Sequence, residues 1–338
     1  MAIPKLHKIE EGELVDPEDL QNLLGVSEST EGLSFNVEGS FIDHMINEYP
    51  KILTFDVTAD GVNYHFDIDW PSEFPDDNKA EERNHVRDAF LRSGIAEHRN
   101  INEVMAELRN QDDVVLGVDG NILRDCTITS TLLDKIYEET YPNWILVGIP
   151  RLVMSGMESA AKQEFTDGSH PRVGWPTYRG RIGQRALQEV MDLRKKNPDR
   201  PGLAMMTIGE LQHEAKELQS EDWKIDALIR DQFKQFLDNI GFHKGTFFLS
   251  QNRVNVMMSG TEGGDALYLE KPGFNELKEG SDEISAFTML IYELCLQFGS
   301  IRISPQDDTE LMLELNAYWP GKQVADWEHS RLSVGIAQ

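Results

Sequence analysis

The strongest constraint on this chain is a set of short apolar runs. VVLGVD (114–119), NWILVGIP (143–150) and GTFFLS (245–250) are each one strand long and apolar on successive positions. A strand that is apolar on both sides is buried on both faces, which is the pattern of a parallel sheet covered by helices. DALYLEK (265–271) reads as a fourth strand, and MTIGELQHEAKEL as a strand followed by a helix. Between the runs lie segments of helical spacing: TSTLLDKIYEE, RLVMSGMESAAKQEF, residues 182–196, WKIDALIRDQFKQFLDNIG and the short RVNVMMSG. Gly241 closes the longest of them, as a glycine just past a helix end does. Strand–helix alternation of this kind predicts an α/β fold over about residues 111–271.

The flanking regions have a different texture. ILTFDVT and VNYHFDIDW alternate apolar and polar residues around Ala59-Asp60-Gly61, a hairpin pattern. Leu53, Phe55 and Val57 share one face, as do Tyr64, Phe66, Ile68 and Trp70. Residues 1–30 read as a polar arm with one short helix near 17–24. WPSEFPDDNKAEE reads as a linker, and 83–95 and 101–110 as helices. Downstream, EISAFTMLIYELCLQFG is a helix, and SIRISP and TELMLELNAYW are strands. Three regions follow: an N-terminal β-hairpin and helical region (1–110), the α/β domain (111–271), and a small C-terminal α/β extension (272–338).

Charge bears on the partner. Of 338 residues, 59 are Asp or Glu against 32 Lys or Arg, a net charge of −27. Such a chain repels nucleic acid at long range. Either nucleic acid is not its partner, or the acidity is an adaptation to concentrated salt. In molar salt the Debye length falls to ~3 Å and local contacts decide. The acids are spread along the whole chain, which fits the solvated surface of a halophile's protein. No run approaches the ~18 consecutive apolar residues of a membrane span. The N-terminal MAIPKLHKIEEGELVD lacks the apolar stretch of a signal peptide, and two cysteines exclude a disulfide scaffold. The expectation is a cytoplasmic protein with no membrane partner, whose Cys126 and Cys295 are small core residues.

Asp119 is the first residue that carries chemistry. It ends an apolar strand, and in an open α/β sheet ligands sit at the carboxyl ends of strands. A carboxylate there, joined by others, suits Mg²⁺ or Mn²⁺; the plainer role is a turn or helix cap. One segment breaks the acidic pattern: residues 171–202 hold eight basic and three acidic residues. Arg172, Arg179, Arg181 and Arg185 surround a Gly-rich turn and a helix start, a combination that suits a phosphate backbone. Trp175 and Tyr178 are placed to stack on unpaired bases. The competing role for these arginines is pairing with the chain's own carboxylates. His65, Asp67 and Asp69 share one face of a hairpin strand and read as a solvated face rather than a metal site. Walker and GxGxxG glycine loops are absent.

The ordered set of these segments resembles the PIN-domain (PilT N-terminus-like) nucleases. VVLGVDGNILRDC resembles the family's opening strand and turn: apolar strand, Asp, small residue, Asn, aliphatic. WILVGIPRLVMSGMESAAKQ resembles its second unit, KIDALIRDQF its third acidic helix, and GTFFLSQNRVNVMMSGTEGGDALYL its closing strand and turn. The resemblance covers under half of the chain. It implies a PIN-like parallel sheet flanked by helices, with the acidity pointing to a haloarchaeal type. It also implies a metal site, with Asp119 as first acid and Asp226 as third. The second acid falls nearest Gly156, and Glu158 lies two residues later, about 200° round a helix. The fourth falls on Asn252, which keeps an oxygen but loses the charge.

The implied function is binding of RNA or single-stranded nucleic acid, with Mg²⁺- or Mn²⁺-dependent cleavage if the site is intact. Asp119 and Asp226 would hold the metal, Glu158 and Asn252 would complete the catalytic set, and Arg172, Arg179, Arg181 and Arg185 would hold the strand. Two of four carboxylates are altered. The alternative is therefore an inactive PIN descendant serving as a protein- or RNA-interaction module, with a protein partner or a homodimer. A third possibility is an unrelated α/β protein in which strands 114–119 and 245–250 do not share a sheet.

Overall fold

The computed structural model describes residues 12–26, 32–40, 43, 48–58, 61–66, 68–70, 74, 76–109, 111–125, 128–140, 144–195, 200–210, 222–241, 244–277, 281–282, 284–306, 312–317 and 332–337. Its elements run β1 (Leu14–Val15), α1 (Pro17–Leu24), β2 (Leu33–Gly39), β3 (Lys51–Thr58), β4 (Gly61–Phe66), α2 (Asp76–Arg92) and α3 (Ile101–Leu108). Next come β5 (Asp113–Val118), α4 (Gly120–Arg124), a π-helical stretch (Ile128–Leu133), α5 (Asp134–Thr140), β6 (Trp144–Pro150), α6 (Arg151–Ala160) and α7 (Tyr178–Arg194). Then follow β7 (Leu203–Ile208), α8 (Asp222–Ile240), β8 (Thr246–Ser250), α9 (Arg253–Thr261) and β9 (Ala266–Tyr268). The last are β10 (Ser281–Asp282), α10 (Ile284–Phe298), β11 (Ser300–Pro305), β12 (Met312–Asn316) and β13 (Leu332–Ala337).

Two compact units divide the chain. One comprises Met1–Ala96, Ala161–Ile182 and Gly273–Gln338; the other comprises Glu97–Ala160 and Gly183–Pro272. The first is built on an antiparallel sheet of order β1-β13-β12-β11-β2-β3-β4-β10. The expected hairpin is present, with Leu53 opposite Phe66, Phe55 opposite Tyr64 and Val57 opposite Val62. Its turn residues Ala59 and Asp60 lie outside the described residues. The expected N-terminal region and C-terminal extension meet in this one sheet, because β2 lies between β3 and β11 (Val37 opposite Ile303) and β1 pairs with β13. α10 is mostly apolar, with Thr288, Glu293 and Gln297 as buried polar residues. It packs on β2, β4 and β11 as well as on α1 and α2, which buries every side of it. Phe55 links the layers, stacking on Phe35 at 4.8 Å and meeting Phe287 of α10 at 4.3 Å. Cys295 is buried there and donates to the Leu315 carbonyl, and burial pushes its thiol pKa up. Cys126 lies outside the described residues.

Two helix starts and one strand differ from the sequence expectations. α2 begins at Asp76, inside the expected linker. α7 begins at Tyr178 rather than Ile182. Thr177 caps it by accepting from Gly180 N at 3.2 Å, and Gly180 is glycine because a Cβ there would stand 2.3 Å from the Gln163 carbonyl oxygen. β13 was not expected at all; its short L-S-V-G-I-A run completes the edge next to β1.

The second unit contains a parallel sheet of order β7-β6-β5-β8-β9, flanked by helices. β5 and β8 are hydrogen-bonded neighbours, with Leu116 beside Phe247. The possibility that these two strands lie apart is therefore excluded. Valines 114, 115 and 118 are fully buried, as strands covered on both faces require. Gly117 interrupts the branched residues for a steric reason: a Cβ there would lie 2.5 Å from the ring of Phe233 on α8. The helix expected in the second half of MTIGELQHEAKEL, from 211 to 218, lies outside the described residues. Among the described residues no helix is long and apolar enough to cross a membrane.

Gly117→Ala tests that close approach. The methyl must displace the Phe233 ring from a packed core, at a cost of about 1–3 kcal/mol. Urea denaturation should register this loss, and Gly117→Ala/Phe233→Leu should recover most of it.

Candidate functional site

β5 enters the parallel sheet first, and the chain then builds outward to β6 on one side and β8 on the other. The strand order therefore reverses between β5 and β8, the position where open α/β sheets place ligands. Asp119 follows the carboxyl end of β5, and Ser250 ends β8. The extended backbone of Asp119 makes it the N-cap of α4, and its Oδ1 accepts from Gly120 N at 2.6 Å.

Its other oxygen is a hub. Asp119 Oδ2 accepts from Ser250 Oγ at 2.6 Å, Asn255 Nδ2 at 2.8 Å and Asn121 Nδ2 at 2.9 Å. The residue is 5% exposed, so these donors replace the water that a buried carboxylate forgoes. The hub extends further. Asn255 Oδ1 accepts from Arg230 Nη1, and Arg230 holds Glu262 through two parallel bonds of 3.0 Å. Asn121 Oδ1 accepts from Gln251 N at 3.0 Å, and Ser250 Oγ accepts from Asn252 N at 3.0 Å. Gln251 reaches the buried His98 at 3.2 Å.

The residues named from the sequence divide sharply. Asp119 stands at the expected place. Asn252 caps α9 instead of turning to the carboxylate; its Oδ1 accepts from Val254 N at 3.0 Å and Asn255 N at 3.4 Å. Glu158 is half-buried on α6. That helix presents Met157 and Val153 to Gly120, and Glu158 points about 120° away from their midpoint. Asp226 is half-buried on α8, one turn before Arg230 and on the stripe of Ile229, Arg230 and Phe233. The hydrogen-bond partners of Asp119 do not include it.

Mg²⁺ or Mn²⁺ does not fit this arrangement. Among the described residues no group of three or more His, Cys, Asp or Glu side chains could hold a metal ion. The amide oxygens nearby are engaged: Asn121 by a backbone N–H, Asn252 by two, Asn255 by a guanidinium. Hard divalent cations need several charged oxygens, and here the charge brought towards Asp119 is the positive one of Arg230.

Two of the four arginines named in the basic island are internal. Arg181 is 1% exposed. Its guanidinium donates to the carbonyls of Leu296 (2.6 Å), Pro176 (3.0 Å) and Gln297 (3.0 Å) and to Asp43 Oδ2 (2.6 Å). Arg185 is also buried, so neither offers its head to a strand on the surface. Arg172 is half-exposed, lies 4.1 Å over the Trp175 ring and stands 3.9 Å from Glu314; Arg179 is exposed. Tyr178 stacks on His85 at 4.5 Å. His65 pairs with Asp56 across the hairpin at 3.1 Å, while Asp67 lies outside the described residues.

Sequence reasoning missed Asn255. It sits in a run read as an ordinary short helix, yet it is 1% exposed, and a buried amide on a helix implies polar partners on both its atoms.

No family model matches the chain, and no curated protein matches it. A solved domain of a functionally unknown protein from Methanocaldococcus jannaschii DSM 2661 is 19% identical, covering 51% of this chain and 98% of that one, with a TM-score of 0.34. A likeness of that size carries no argument about function.

Asp119→Asn puts an amide against three donors and should destabilise the protein by about 2–4 kcal/mol in urea melts. A specific metal site would raise the thermal midpoint with ligand concentration. Mn²⁺ titrated in molar KCl should instead shift wild type and Asp119→Asn equally.

Proposed function

We propose that the parallel unit is a PIN-like scaffold without hydrolytic chemistry that serves as a protein-interaction module. The observation that carries this reading is the closed hydrogen-bond account at Asp119. The carboxylate that the resemblance assigns to a metal is spent on four donors. A residue in that state ties elements together; it neither holds an ion nor lowers the pKa of a bound water.

A protein partner is better supported than RNA. Two of the four arginines assigned to a nucleic-acid strand are buried. In contrast, α9 carries an exposed apolar stripe of Val254 (66% exposed), Met257 (70%) and Met258 (43%) at helical spacing. Methionines on an open face adapt to varied apolar partners. The chain as a whole carries a net charge of −27, so the stripe suits the apolar face of a basic amphipathic helix.

Two measurements test the reading in molar KCl. Labelled RNA incubated with Mn²⁺ should remain uncut by wild type and by Asp119→Asn alike. Cleavage by wild type that is lost in Asp119→Asn would restore the nuclease. A synthetic Leu/Lys amphipathic peptide should bind wild type and lose at least tenfold in affinity to Met257→Lys, whereas equal binding to both would remove the α9 surface from the proposal.

A further inference from the structure

β7 is an edge of the parallel sheet, and β6 is its one neighbour there. The register fixes where its backbone points. Ile145 stands opposite Leu203, and Ile145 N donates to the Gly202 carbonyl at 3.2 Å. In a parallel ladder the groups turned to β6 are then those of Ala204 and Met206, and those turned outward belong to Leu203, Met205 and Thr207. Leu203 N reaches back to the Arg200 carbonyl at 3.4 Å. The outward N–H and C=O groups of Met205 and Thr207 make no hydrogen bond among the described residues.

Natural edge strands are blunted by charges, prolines or bulges. Leu203–Ile208, LAMMTI, carries no charge and no proline, and its register with β6 is unbroken. Its side chains are also thinly covered for a parallel strand: Ala204 is exposed, Met206 is 41% exposed, and Leu203, Met205 and Thr207 are half-buried. Open backbone groups beside apolar side chains are a template for another strand.

The sequence of β7 selects that strand. Arg200 precedes it, Glu210 follows it, and no charge lies between them. An antiparallel second copy sets the basic end of each strand beside the acidic end of the other, whereas a parallel copy sets like beside like. A two-fold axis at Met205 puts Met205 opposite Met205, Leu203 opposite Thr207 and Ala204 opposite Met206. The outward groups of both copies then face one another, and each large Met206 lies against a small Ala204.

We infer that β7 is a homodimer edge, through which two copies of this chain join antiparallel about a two-fold axis at Met205. Three outward residues per copy, each with one N–H and one C=O, form about six hydrogen bonds across the axis, with Leu203 N exchanging its long bond for one of them. The edge is a different surface from the α9 stripe and is independent of any chemistry at Asp119. One strand buries little area, so the dimer forms reversibly.

Sedimentation velocity of the full chain in molar KCl, from about 2 to 200 μM, should show a monomer–dimer equilibrium. Met205→Pro removes an outward N–H and no bond to β6, so it should raise the dimer dissociation constant at least tenfold while circular dichroism stays that of the folded chain. Thr207→Pro repeats the test at the next outward position should Met205→Pro unfold. Met205→Lys and Met205→Glu each set like charges opposite across the axis and should be monomeric, and an equimolar mixture of the two should dimerise again. A wild type that stays monomeric throughout would overturn the inference and leave the edge to an extended segment of another protein. A dimer that survives both proline variants, or a mixture that stays monomeric, would also overturn it.

Discussion

One carboxylate oxygen organises the carboxyl edge of the parallel sheet. Asp119 Oδ2 accepts from three side chains, which lie on α4, at the end of β8 and on α9. The third, Asn255, relays the charge: its Nδ2 turns to the carboxylate and its Oδ1 to Arg230 on α8. An amide dipole set between an anion and a cation is polarised by both, so each bond strengthens the next in this dry setting. The network closes on Glu262, at the far end of α9. α8 and both ends of α9 are thereby fixed against the β5–β8 pair by polar bonds as well as by the Phe233–Gly117 contact.

That lock explains why an edge so favourably placed for a ligand is filled with protein. A strand-order reversal leaves an opening that many α/β proteins fill with a phosphate or a metal. Here short amide and hydroxyl side chains fill it, and their donors outnumber their free acceptors. Each amide brings two N–H groups, and a carboxylate within reach is their natural acceptor. The amides of Asn121 and Asn255 both donate to Asp119 and consume that acid.

The sheet was legible in the sequence because its signal is redundant. VVLGV, WILVGI and TFFLS each exceed what a surface strand tolerates, and the helices between them repeat the same message. The antiparallel sheet was half legible: the Asp-Gly hairpin is a local signal, whereas the pairing of β2 with β11 joins segments more than 250 residues apart and leaves no local trace. The start of α7 was hidden by Gly180, which looks like a loop residue and is required by a backbone contact. At the site, Asp119 was found because strand-end position alone singles it out. Asn255 and Arg230 were not linked to it, since helix periodicity gives a face and says nothing of which polar atom that face meets.

The arginines teach a related lesson about charge. A local surplus of basic residues in an acidic chain suggests a positive surface, yet Arg92, Arg181, Arg185 and Arg230 are all buried. Arg181 spends three of its four bonds on backbone carbonyls, which carry no net charge to cancel its own. Cations withdrawn into the interior are subtracted from the surface. Long-range attraction depends on the charge that solvent and partners meet, and Arg181 and Arg185 add little to that outer layer, whereas Arg172, Arg179, Arg194, Lys195 and Arg200 of the same segment are exposed or half-exposed. Two arginines of the segment that seemed to oppose the acidity of the chain are therefore spent inside the fold, where a guanidinium with five donors can satisfy several carbonyls at once.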